Sequence, residues 1–513
     1  MTRISNINRA VVMAVALLVS FADALLPISV KDNMFINYDG TPFTIVGVDY
    51  QPGGSSDYSN SASSDVLSVA DVCLRDAYAL QQLGVNTIRV YTVSPWLNHD
   101  ECMSIFNAVG IYVILDVNSP LGGESIQRDD PAASYNEGYL KRVFAILDAF
   151  MGYGNVLGFF AGNEVFNDDT SAKVSPPYIR AVQRDIKNYI AKHGSREIPV
   201  GYSAADVASL RIAGWEYLQC GSGNGTSSNT TDLDKSRSDF YGLNSYSWCS
   251  GVSTWQTSGY GTLQSTFANS SIPLFFSEYG CNTDTPRTFD EVSEGLYTQT
   301  MMKSFDGGLV YEYSEEDNQY GLVTIDSDGS ITYKTDFENL RNQIANLTFS
   351  NWYTSNYLDN VTVPKCNRTY IESLDSSFNA SLSIPSCPAQ DMLESGSGNN
   401  NVGKWVDLNA TSTSYTITDA DGNTVSNTTI EIVSDQTIPE SESSSSSSSS
   451  SVVSSATAST STRSSAVGSS TSITASVTST TSASTSSSSA GAGISSSPGS
   501  FVMVLIGLVA FWV

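Results

Sequence analysis

Apolar and polar residues follow two alternating patterns between residues 25 and about 350. Eight short runs are rich in apolar, β-branched or aromatic residues, as buried strands are. These runs occupy residues 43–50, 86–93, 112–117, 156–161, 199–203, 240–247, 272–277 and 308–313. Segments with helical spacing lie between several of them, at residues 71–83, 139–151, 176–193 and 289–304. Strands that alternate with helices predict a parallel sheet, and eight units over about 300 residues predict an α/β fold, a (β/α)8 TIM barrel.

The pattern changes after residue 350, where the predicted barrel domain (residues 25–350) ends. Residues 351–435 contain five glycosylation sequons, two cysteines and short alternating segments, which predict a small C-terminal appendage packed on the barrel. Residues 436–490 are poor in large apolar side chains and include an unbroken serine run. Such a composition cannot form a core, so it predicts a disordered Ser/Thr-rich stalk that carries O-linked sugars.

Both ends of the chain carry targeting signals. Residues 1–24 combine two arginines, an apolar stretch and a small-residue cleavage site, as a signal peptide does. Residues 491–513 end in an apolar tail that is shorter than the roughly 20 residues of a membrane-spanning helix. The small residues and polar spacer before it predict a glycosylphosphatidylinositol (GPI) anchor attached at Ser489. We therefore expect the protein on the outer leaflet of the plasma membrane or in the cell wall.

The composition narrows the classes of partner. The chain has 25 basic and 52 acidic side chains, a net charge of −27, which argues against nucleic-acid binding and is compatible with a neutral glucan. Seven cysteines in a secreted chain predict disulfides with one cysteine left over. The sequence contains no close cluster of cysteines and histidines, so it predicts no metal site. Nine sequons mark candidate glycosylation sites: Asn224, Asn229, Asn269, Asn346, Asn360, Asn367, Asn379, Asn409 and Asn427.

Two of the apolar runs lead into a lone glutamate. Glu164 follows the fourth run and Glu278 ends the seventh, so each carboxylate would lie at the C-terminal tip of a strand. Barrel enzymes carry their catalytic residues at these tips, and the cleavage of a glycosidic bond uses two carboxyl groups. The alternative is that both are ordinary surface carboxylates at the start of loops. The placement on strands four and seven favours a retaining mechanism, although the sequence does not give the carboxyl separation.

Six short motifs give the chain a specific resemblance. They lie at residues 48–54, 89–91, 98–102, 244–249, 277–281 and 320–323. With the two glutamates, they resemble glycoside hydrolase family 72, the fungal β-1,3-glucanosyltransferases that a lipid anchor holds at the cell surface. The resemblance covers residues 25–350 and includes nearly every predicted strand tip.

The resemblance implies a role for each of these tip residues. Glu164 would be the acid/base, Glu278 the nucleophile, and Asn163 a ligand of the sugar 2-hydroxyl, unless Asn163 is only a turn residue. The other residues implied to bind sugar are Gln51, Tyr91, Asp116, Tyr246, Tyr311 and Tyr320. Asp116 could equally orient other side chains at the barrel mouth. The strand period does not separate Tyr311 from Tyr313, because both would lie on one face.

The resemblance also implies three disulfides. These are Cys73–Cys102, Cys220–Cys366 and Cys249–Cys281, which leave Cys387 over. Only Cys366 and Cys387 lie beyond residue 350, so we do not expect the cysteine-rich carbohydrate-binding module that some members of the family carry. We expect a monomer that needs no cofactor and no metal.

The predicted function is therefore β-1,3-glucan transfer, in which one glucan is cleaved internally and its new end is joined to the non-reducing end of another. The glucan would be both donor and acceptor, and the GPI anchor would hold the enzyme on the plasma membrane. One alternative is a retaining endo-β-1,3-glucanase that uses the same residues. The other is a non-catalytic wall glycoprotein, which would need the stalk and anchor but not the two glutamates.

Overall fold

The computed structural model describes residues 25–433, except residue 62 and the segments 224–230 and 349–360. In this part of the chain the strands are β1 Ser29–Lys31, β2 Met34–Ile36, β3 Ile45–Asp49, β4 Thr87–Val90, β5 Tyr112–Asp116, β6 Val156–Asn163, β7 Val200–Ala205, β8 Phe240–Asn244, β9 Leu274–Tyr279, β10 Gly307–Val310, β11 Val323–Ile325, β12 Ile331–Tyr333 and β13 Ile417–Thr418. The α-helices are α1 Ala70–Leu83, α2 Asp100–Ala108, α3 Pro131–Ser134, α4 Glu137–Phe150, α5 Asp169–Ala172, α6 Pro176–His193, α7 Leu210–Gln219, α8 Asp232–Lys235, α9 Tyr260–Thr266, α10 Thr335–Ala345, α11 Arg368–Leu374 and α12 Gln390–Ser395.

Strands β3 to β10 close into a parallel barrel. Each strand pairs with the next along the chain, and β10 pairs with β3 to complete the ring. Helices lie on the outside, as the alternation of strand and helix patterns requires. The eight runs predicted from the sequence correspond one by one to these strands, so the (β/α)8 fold is confirmed. The C-terminal ends of all eight strands meet at one mouth, where barrel enzymes carry their active sites.

The segment predicted as a helix at residues 289–304 is not one continuous helix. It contains a π-helical turn at Glu291–Leu296 and a 3-10 turn at Met301–Lys303. Thr298 separates them, because its hydroxyl donates to the carbonyl of Gly295 (2.8 Å) and accepts from the amide of Met301 (3.3 Å). Such side-chain bonds compete with the backbone pattern of an α-helix. The other three predicted helices correspond to α1, α4 and α6.

Aromatic rings fill the N-terminal half of the barrel. Phe160, Phe240 and Phe275 contact one another, and Phe35 from the β1–β2 hairpin packs on the last two, with ring centroids 5.2–6.0 Å apart. The ring of Phe240 leaves no space for a side chain at Gly201, where a Cβ would come within 2.4 Å of it. Because these rings fill the N-terminal half of the barrel, the polar side chains of the interior lie at the opposite, C-terminal end.

The chain that follows the barrel lies against its outside, and we call residues 361–433 the belt. Its buried apolar side chains belong to the same core cluster as those of the barrel helices: Ile371, Phe378, Ala380, Ala389, Leu393, Ile417 and Ile430. The belt therefore shares one hydrophobic core with the barrel helices. It ends beside α2, where the amide of Val433 donates to the carbonyl of Ala108 (2.9 Å).

The belt touches one barrel helix after another. The Cys220–Cys366 disulfide joins it to the end of α7, and Arg184 of α6 donates to the carbonyl of Pro385 (2.7 Å). Ser397 donates to Asp148 of α4 (2.5 Å), and further along β13 pairs with β12. Much of the belt has no regular secondary structure, and its irregular backbone is held by hydrogen bonds of this kind instead.

Several sequence predictions fall outside the described residues. These are the signal peptide at 1–24, the stalk at 436–490, the propeptide at 491–513 and the anchor site Ser489, together with the sequons at Asn224, Asn229 and Asn360. A search of the described helices finds none that is long and apolar enough to span a membrane.

Candidate active site

Both glutamates lie at the mouth of the barrel. Glu278 belongs to β9, and Glu164 directly follows β6. The amide of Glu164 donates to the carbonyl of Ser203 in β7 (2.8 Å), and Asn244 of β8 is aligned with Glu278. Glu164 has a positive φ of 47°, which is uncommon for a non-glycine residue. Backbone conformations of this kind cluster at functional sites.

The two carboxylates have different hydrogen-bond partners. Oε1 of Glu278 accepts from the hydroxyl of Tyr91 (2.9 Å) and from Nη1 of Arg89 (3.3 Å). Its Oε2 accepts from the hydroxyl of Tyr246 (2.8 Å). Glu164 accepts a neutral bond from Nδ2 of Asn244 (2.9 Å). Donors, and a cation above all, favour the charged form of a carboxylate, so Glu278 is the better stabilised anion.

Burial and charge shift the pKa values of the pair. Burial, followed by the charge of Glu278, raises the pKa of Glu164 to about 7. Burial also raises the pKa of Glu278, while Arg89 and the two tyrosine hydroxyls act in the opposite direction. A carboxyl group that titrates near neutral pH can hold a proton and release it within one reaction cycle. The surroundings therefore suit Glu164 to the general acid and Glu278 to the anionic nucleophile.

Arg89 connects the polar groups at the barrel mouth. Its guanidinium donates to Asp116 (2.9 and 3.4 Å), to Asn163 Oδ1 (3.1 Å) and to Glu278 (3.3 Å). The side chain is fully buried, with the rings of Tyr91 and Phe160 at 4.3 and 4.6 Å from its Cζ. The sequence reasoning did not name Arg89 as a site residue, although it lies in the quoted motif at 89–91.

Asp49 lies beside this network without joining it. Its side chain is fully buried, and neither carboxyl oxygen has a hydrogen-bond partner among the described residues. Nη1 of Arg89 is 4.0 Å away, beyond hydrogen-bond distance. Burial raises the pKa of Asp49 well above its usual range, while the charge of Arg89 acts in the opposite direction.

Two asparagines, Asn163 and Asn244, connect the strand tips through hydrogen bonds. Oδ1 of Asn163 accepts from Arg89 and from Nδ2 of Asn244 (3.1 Å each), so the Nδ2 group of Asn163 is left available to a ligand. Asn244 Oδ1 in turn accepts from the hydroxyls of Ser203 (3.0 Å) and Ser277 (2.7 Å). Sequence reasoning had missed Asn244, whose signal was its place at the start of the motif at 244–249.

Four tyrosines surround Glu278 on the open side. The ring of Tyr311 lies 6.5, 6.3 and 5.3 Å from the rings of Tyr91, Tyr246 and Tyr320 respectively. Aromatic faces of this kind can pack on the apolar face of a sugar ring while their hydroxyls bond its hydroxyls. The structure brings together all four tyrosines that the resemblance implied.

The structure also distinguishes Tyr311 from Tyr313. Tyr313 is fully buried, and its hydroxyl donates to Asp76 of α1 (2.6 Å), on the helical side of the barrel. The alternation argument placed both on one face, but β10 ends at Val310, so it does not extend to either tyrosine. Tyr311 is the one that contributes to the mouth.

Gln51 and Asp116 contact other protein groups at the mouth. The amide of Gln51 exchanges two hydrogen bonds with the backbone of Thr92 (3.0 and 3.3 Å), next to Tyr91. Asp116 accepts from Arg89 with both carboxyl oxygens, as an orienting carboxylate would. Direct contact of either residue with sugar stays a prediction.

A further ion pair lies at the tip of strand β7. Arg211 pairs with Asp206, and Ser245 donates to the other oxygen of Asp206 (2.6 Å). The pair is next to the strand tip that holds Glu164, on the side away from Arg89. Neither Asp206 nor Arg211 belongs to one of the motifs quoted above, so the sequence carries no signal for this pair.

Three disulfides hold the described chain, and they are the pairs that the resemblance implied: Cys73–Cys102, Cys220–Cys366 and Cys249–Cys281. The last joins the loop that follows β8, which carries Tyr246, to the loop that follows β9, the strand that carries Glu278. Cys387 has a free thiol. In the parts of the chain that the structure describes, no group of three or more histidine, cysteine or acidic residues is arranged to hold a metal ion.

Comparison with known proteins identifies the family. The sequence profile of the glucanosyltransferases of glycoside hydrolase family 72 matches residues 17–348. The chain belongs to this family. The profile includes every strand of the barrel and both glutamates, so the family assignment and the site geometry concern the same residues.

This family 72 protein has relatives in yeast and in a filamentous fungus. It is 52% identical over 429 residues to the probable 1,3-beta-glucanosyltransferase GAS3 of Saccharomyces cerevisiae, which covers 81% of each chain. It is 48% identical over 425 residues to the 1,3-beta-glucanosyltransferase gel2 of Aspergillus fumigatus, covering 82% of this chain and 86% of gel2. Both matches are longer than the profile, so the similarity extends beyond the barrel.

Solved structures of a further family member have the same fold. A mutant of Gas2p from Saccharomyces cerevisiae in complex with laminaritetraose and laminaripentaose is 36% identical, with a TM-score of 0.61. The match covers 72% of this chain and 76% of that one. The solved complex therefore belongs to a protein whose fold is similar to that of this chain.

Proposed function

We propose that this family 72 protein is a retaining β-1,3-glucanosyltransferase. It cleaves a β-1,3-glucan internally, keeps the non-reducing part as an ester on Glu278 and transfers it to the non-reducing end of a second glucan. The observation that carries the proposal is the unequal setting of the two glutamates at one mouth. Three hydrogen-bond donors stabilise the carboxylate anion of Glu278, whereas burial raises the pKa of Glu164 to about 7.

The first step forms the covalent intermediate. A carboxylate oxygen of Glu278 attacks the anomeric carbon, and Glu164 gives its proton to the departing sugar oxygen as the glycosidic bond breaks. The free Nδ2 group of Asn163 donates to the sugar 2-hydroxyl, a bond that strengthens in the transition state. Arg89 fixes Asn163 and Glu278 together, so the hydrogen-bond donor and the nucleophile keep one geometry.

The second step reverses the roles at Glu164. Now a carboxylate, Glu164 takes the proton from the acceptor hydroxyl while the acceptor oxygen displaces Glu278 from the anomeric carbon. The energy of the broken bond is retained in the ester, so no nucleotide-sugar donor is needed. The Asp206–Arg211 pair beside Glu164 supplies charged groups for the hydroxyls of the acceptor sugar.

The test is a product analysis. We expect the purified protein, incubated with a reduced β-1,3-gluco-oligosaccharide of defined length, to give products longer than the substrate. Mass spectrometry resolves these products because each added glucose changes the mass by a fixed amount. Glu164→Gln and Glu278→Gln should lose them, since neither amide can transfer a proton or form the ester.

Two results would contradict the transfer proposal. Products that are only shorter than the substrate would make the protein a retaining endo-β-1,3-glucanase with the same residues. An unchanged substrate with oligosaccharides of every length tested would favour the non-catalytic wall glycoprotein. The four-tyrosine wall favours transfer, because apolar faces at the mouth bind sugar and exclude water at once.

The pH profile gives a second prediction. We expect kcat/KM to fall as the pH rises through about 7, because Glu164 must hold its proton in the free enzyme and its pKa is about 7. Asn244 donates to Glu164 and lowers this pKa, so Asn244→Ala should move the alkaline limb to higher pH while it lowers the rate. Oligosaccharide cleavage measured from acid to alkaline pH shows the limb directly.

The matched control for this profile is Asn282→Ala. Asn282 also lies in a mouth loop, but its amide donates to the backbone carbonyl of Asn318 (2.9 Å) and not to Glu164. It should leave the alkaline limb in place. A limb that stays fixed, or moves to lower pH, in Asn244→Ala would mean that Glu164 is not the group that titrates.

Anchoring and assembly complete the proposal. A GPI anchor at Ser489 would hold a monomer on the outer leaflet of the plasma membrane or pass it to the wall, supported by the tail pattern of the sequence. Release of the native protein from membranes by a phosphatidylinositol-specific phospholipase tests the anchor, and retention after treatment would count against it.

A further inference from the structure

The loop that follows β4 has an unusual set of attachments. Residues 91–99 lie between the end of β4 and the start of α2 and belong to neither. Their backbone groups are instead held by side chains that come from four other parts of the chain. Gln51 accepts from the amide of Thr92 (3.0 Å) and donates to its carbonyl (3.3 Å), and Asp65 accepts from the amide of Ser94 (2.6 Å). Arg142 donates to the carbonyl of Val93 (2.8 Å), and the belt donates to the carbonyls of Pro95 and Leu97.

The belt supplies two asparagines to this loop. Nδ2 of Asn399 donates to the carbonyl of Pro95 (2.9 Å) and to that of Ala145 in α4 (3.0 Å). Nδ2 of Asn401 donates to the same Pro95 carbonyl (2.9 Å) and to the carbonyl of Leu97. Both amides therefore use both of their N–H groups to bind backbone carbonyls, and three of these four bonds go to the loop.

The two asparagines are themselves fixed. The amide of Asn401 donates to Oδ1 of Asn399 (3.0 Å), and the amide of Asn399 donates to Oγ of Ser397 (3.0 Å), which is bonded to Asp148. Beyond them, the amide of Lys404 donates to Asp100 (2.9 Å). Anchors on both sides give the asparagines the fixed geometry that a positioning group needs.

The first residue of the same loop is Tyr91, which donates to Glu278 Oε1 (2.9 Å) and lies on the guanidinium of Arg89. The loop has no strand ladder to keep Tyr91 in place once β4 ends at Val90. Its position thus depends on the side chains that hold the residues after it. Small displacements of a positioning group can cost large factors in rate.

We infer that Asn399 and Asn401 are positioning residues for the glucanosyl transfer, which hold the 91–99 loop so that Tyr91 keeps its hydrogen bond to Glu278. The inference rests on the proposed function, in which Glu278 is the nucleophile. It gives the belt, which lies outside the residues matched by the family profile, a part in the catalytic geometry.

The competing explanation is that the belt asparagines only stabilise the fold. A loss of stability lowers activity without changing which group titrates, so the acid limb of the pH profile separates the two. Tyr91 favours the charged form of Glu278, and a displaced Tyr91 would raise the pKa of Glu278 and move the acid limb to higher pH. The other titratable and charged groups that face Glu278 are Asp49, Arg89, Asp116, Glu164, Tyr246, Tyr311 and Tyr320, and the variants below leave all of them in place.

The experiment compares full-length secreted proteins. The Asn399→Ala/Asn401→Ala variant is expected to lose about tenfold in kcat with little change in KM, and to move the acid limb of kcat up by about half a pH unit. Tyr91→Phe should move the limb in the same direction. Adding the two asparagine changes to Tyr91→Phe should move it no further, since the bond they protect is already gone.

Gln81→Ala is the matched control. Gln81 also joins the belt to a barrel helix with two hydrogen bonds, to the backbone of Glu431 (2.6 and 2.8 Å), but it is far from the 91–99 loop. It should lower the thermal midpoint and leave the acid limb in place. An unmoved limb in the double asparagine variant, or a further shift on top of Tyr91→Phe, would overturn the inference. Undiminished transfer by Glu278→Gln would instead overturn the proposed function.

Discussion

Replacing Glu278 with alanine should lower glucan transfer by at least about 10⁴-fold, and replacing Glu164 with alanine by about 10²- to 10⁴-fold. The first change removes the atom that forms the ester, so no covalent route remains. The second removes only the proton donor, and substrates with a good leaving group should still react. Initial rates on a β-1,3-gluco-oligosaccharide, and on an activated aryl glycoside of it, measure both effects.

Azide separates the roles of the two residues. In Glu164→Ala, azide should accept the glycosyl group from Glu278 and give a β-glycosyl azide, because two displacements retain the configuration. In Glu278→Ala, azide should enter the space left by the carboxylate and give the α-glycosyl azide by one displacement. The anomeric proton in the NMR spectrum of the product distinguishes them.

Glu216→Gln is a suitable control for both variants. Glu216 is a half-buried glutamate on α7, where it accepts from Gln219 (3.3 Å), away from the barrel mouth. The Glu216→Gln variant should transfer glucan at the rate of the unchanged protein and form no glycosyl azide. If the two alanine variants gave azides of the same anomer, or exchanged their anomers, the assignment of acid/base and nucleophile would be wrong.

The sequence predicts the barrel and the two glutamates for one physical reason. A parallel strand buried on both faces is a continuous apolar run, and a lone carboxylate at its end must lie at the mouth. Glu164 and Glu278 satisfy both conditions. The signal peptide at residues 1–24, which stays a prediction, is likewise inferred without any reference to the fold. Each of these inferences depends only on neighbours in the chain.

The connecting residues depend on contacts across the barrel and could not be predicted in this way. In the sequence Arg89 is only one residue of a predicted strand. Its role depends on hydrogen bonds to Asp116, Asn163 and Glu278, which lie far from it in the sequence. The resemblance predicts that Gln51 binds sugar, which stays a prediction, but it gave no sign of the bonds between the side-chain amide of Gln51 and the backbone of Thr92. Partners of this kind become visible only when the strand tips are brought together.

The belt shows the same limit on a larger scale. Its composition, with many polar residues and little periodicity, predicts a small appendage packed on the barrel but does not indicate which residues make the contact. The structure places its few apolar residues in the core cluster of the barrel helices, spaced too far apart along the chain to form a recognisable pattern. Of the changes considered, removal of the belt is therefore expected to lower the stability of the fold most.

A chain that ends at residue 348, where the family profile ends, should fail to accumulate as a folded secreted protein, whereas a chain that ends at residue 433 should fold. The shorter chain loses the Cys220–Cys366 disulfide, which spans 146 residues. A loop of that length corresponds to about 5 kcal/mol in the chain-entropy account. It also loses seven buried apolar side chains, of which the five larger than alanine contribute about 1–3 kcal/mol each, against a typical total stability of about 5–15 kcal/mol. Secretion yield and thermal unfolding measure the difference.

A third variant separates the disulfide from the packing. Cys220→Ser/Cys366→Ser in the chain that ends at residue 433 removes the covalent link and keeps Ile371, Phe378, Leu393 and the pairing of β13 with β12. It should unfold at a lower temperature and still fold, because the larger part of the loss in the short chain is the uncovered apolar surface of α7, α6 and α1. A short chain that is secreted and unfolds cooperatively near the temperature of this disulfide-free variant would show that the belt adds little beyond Cys366, and that the barrel is a complete domain by itself.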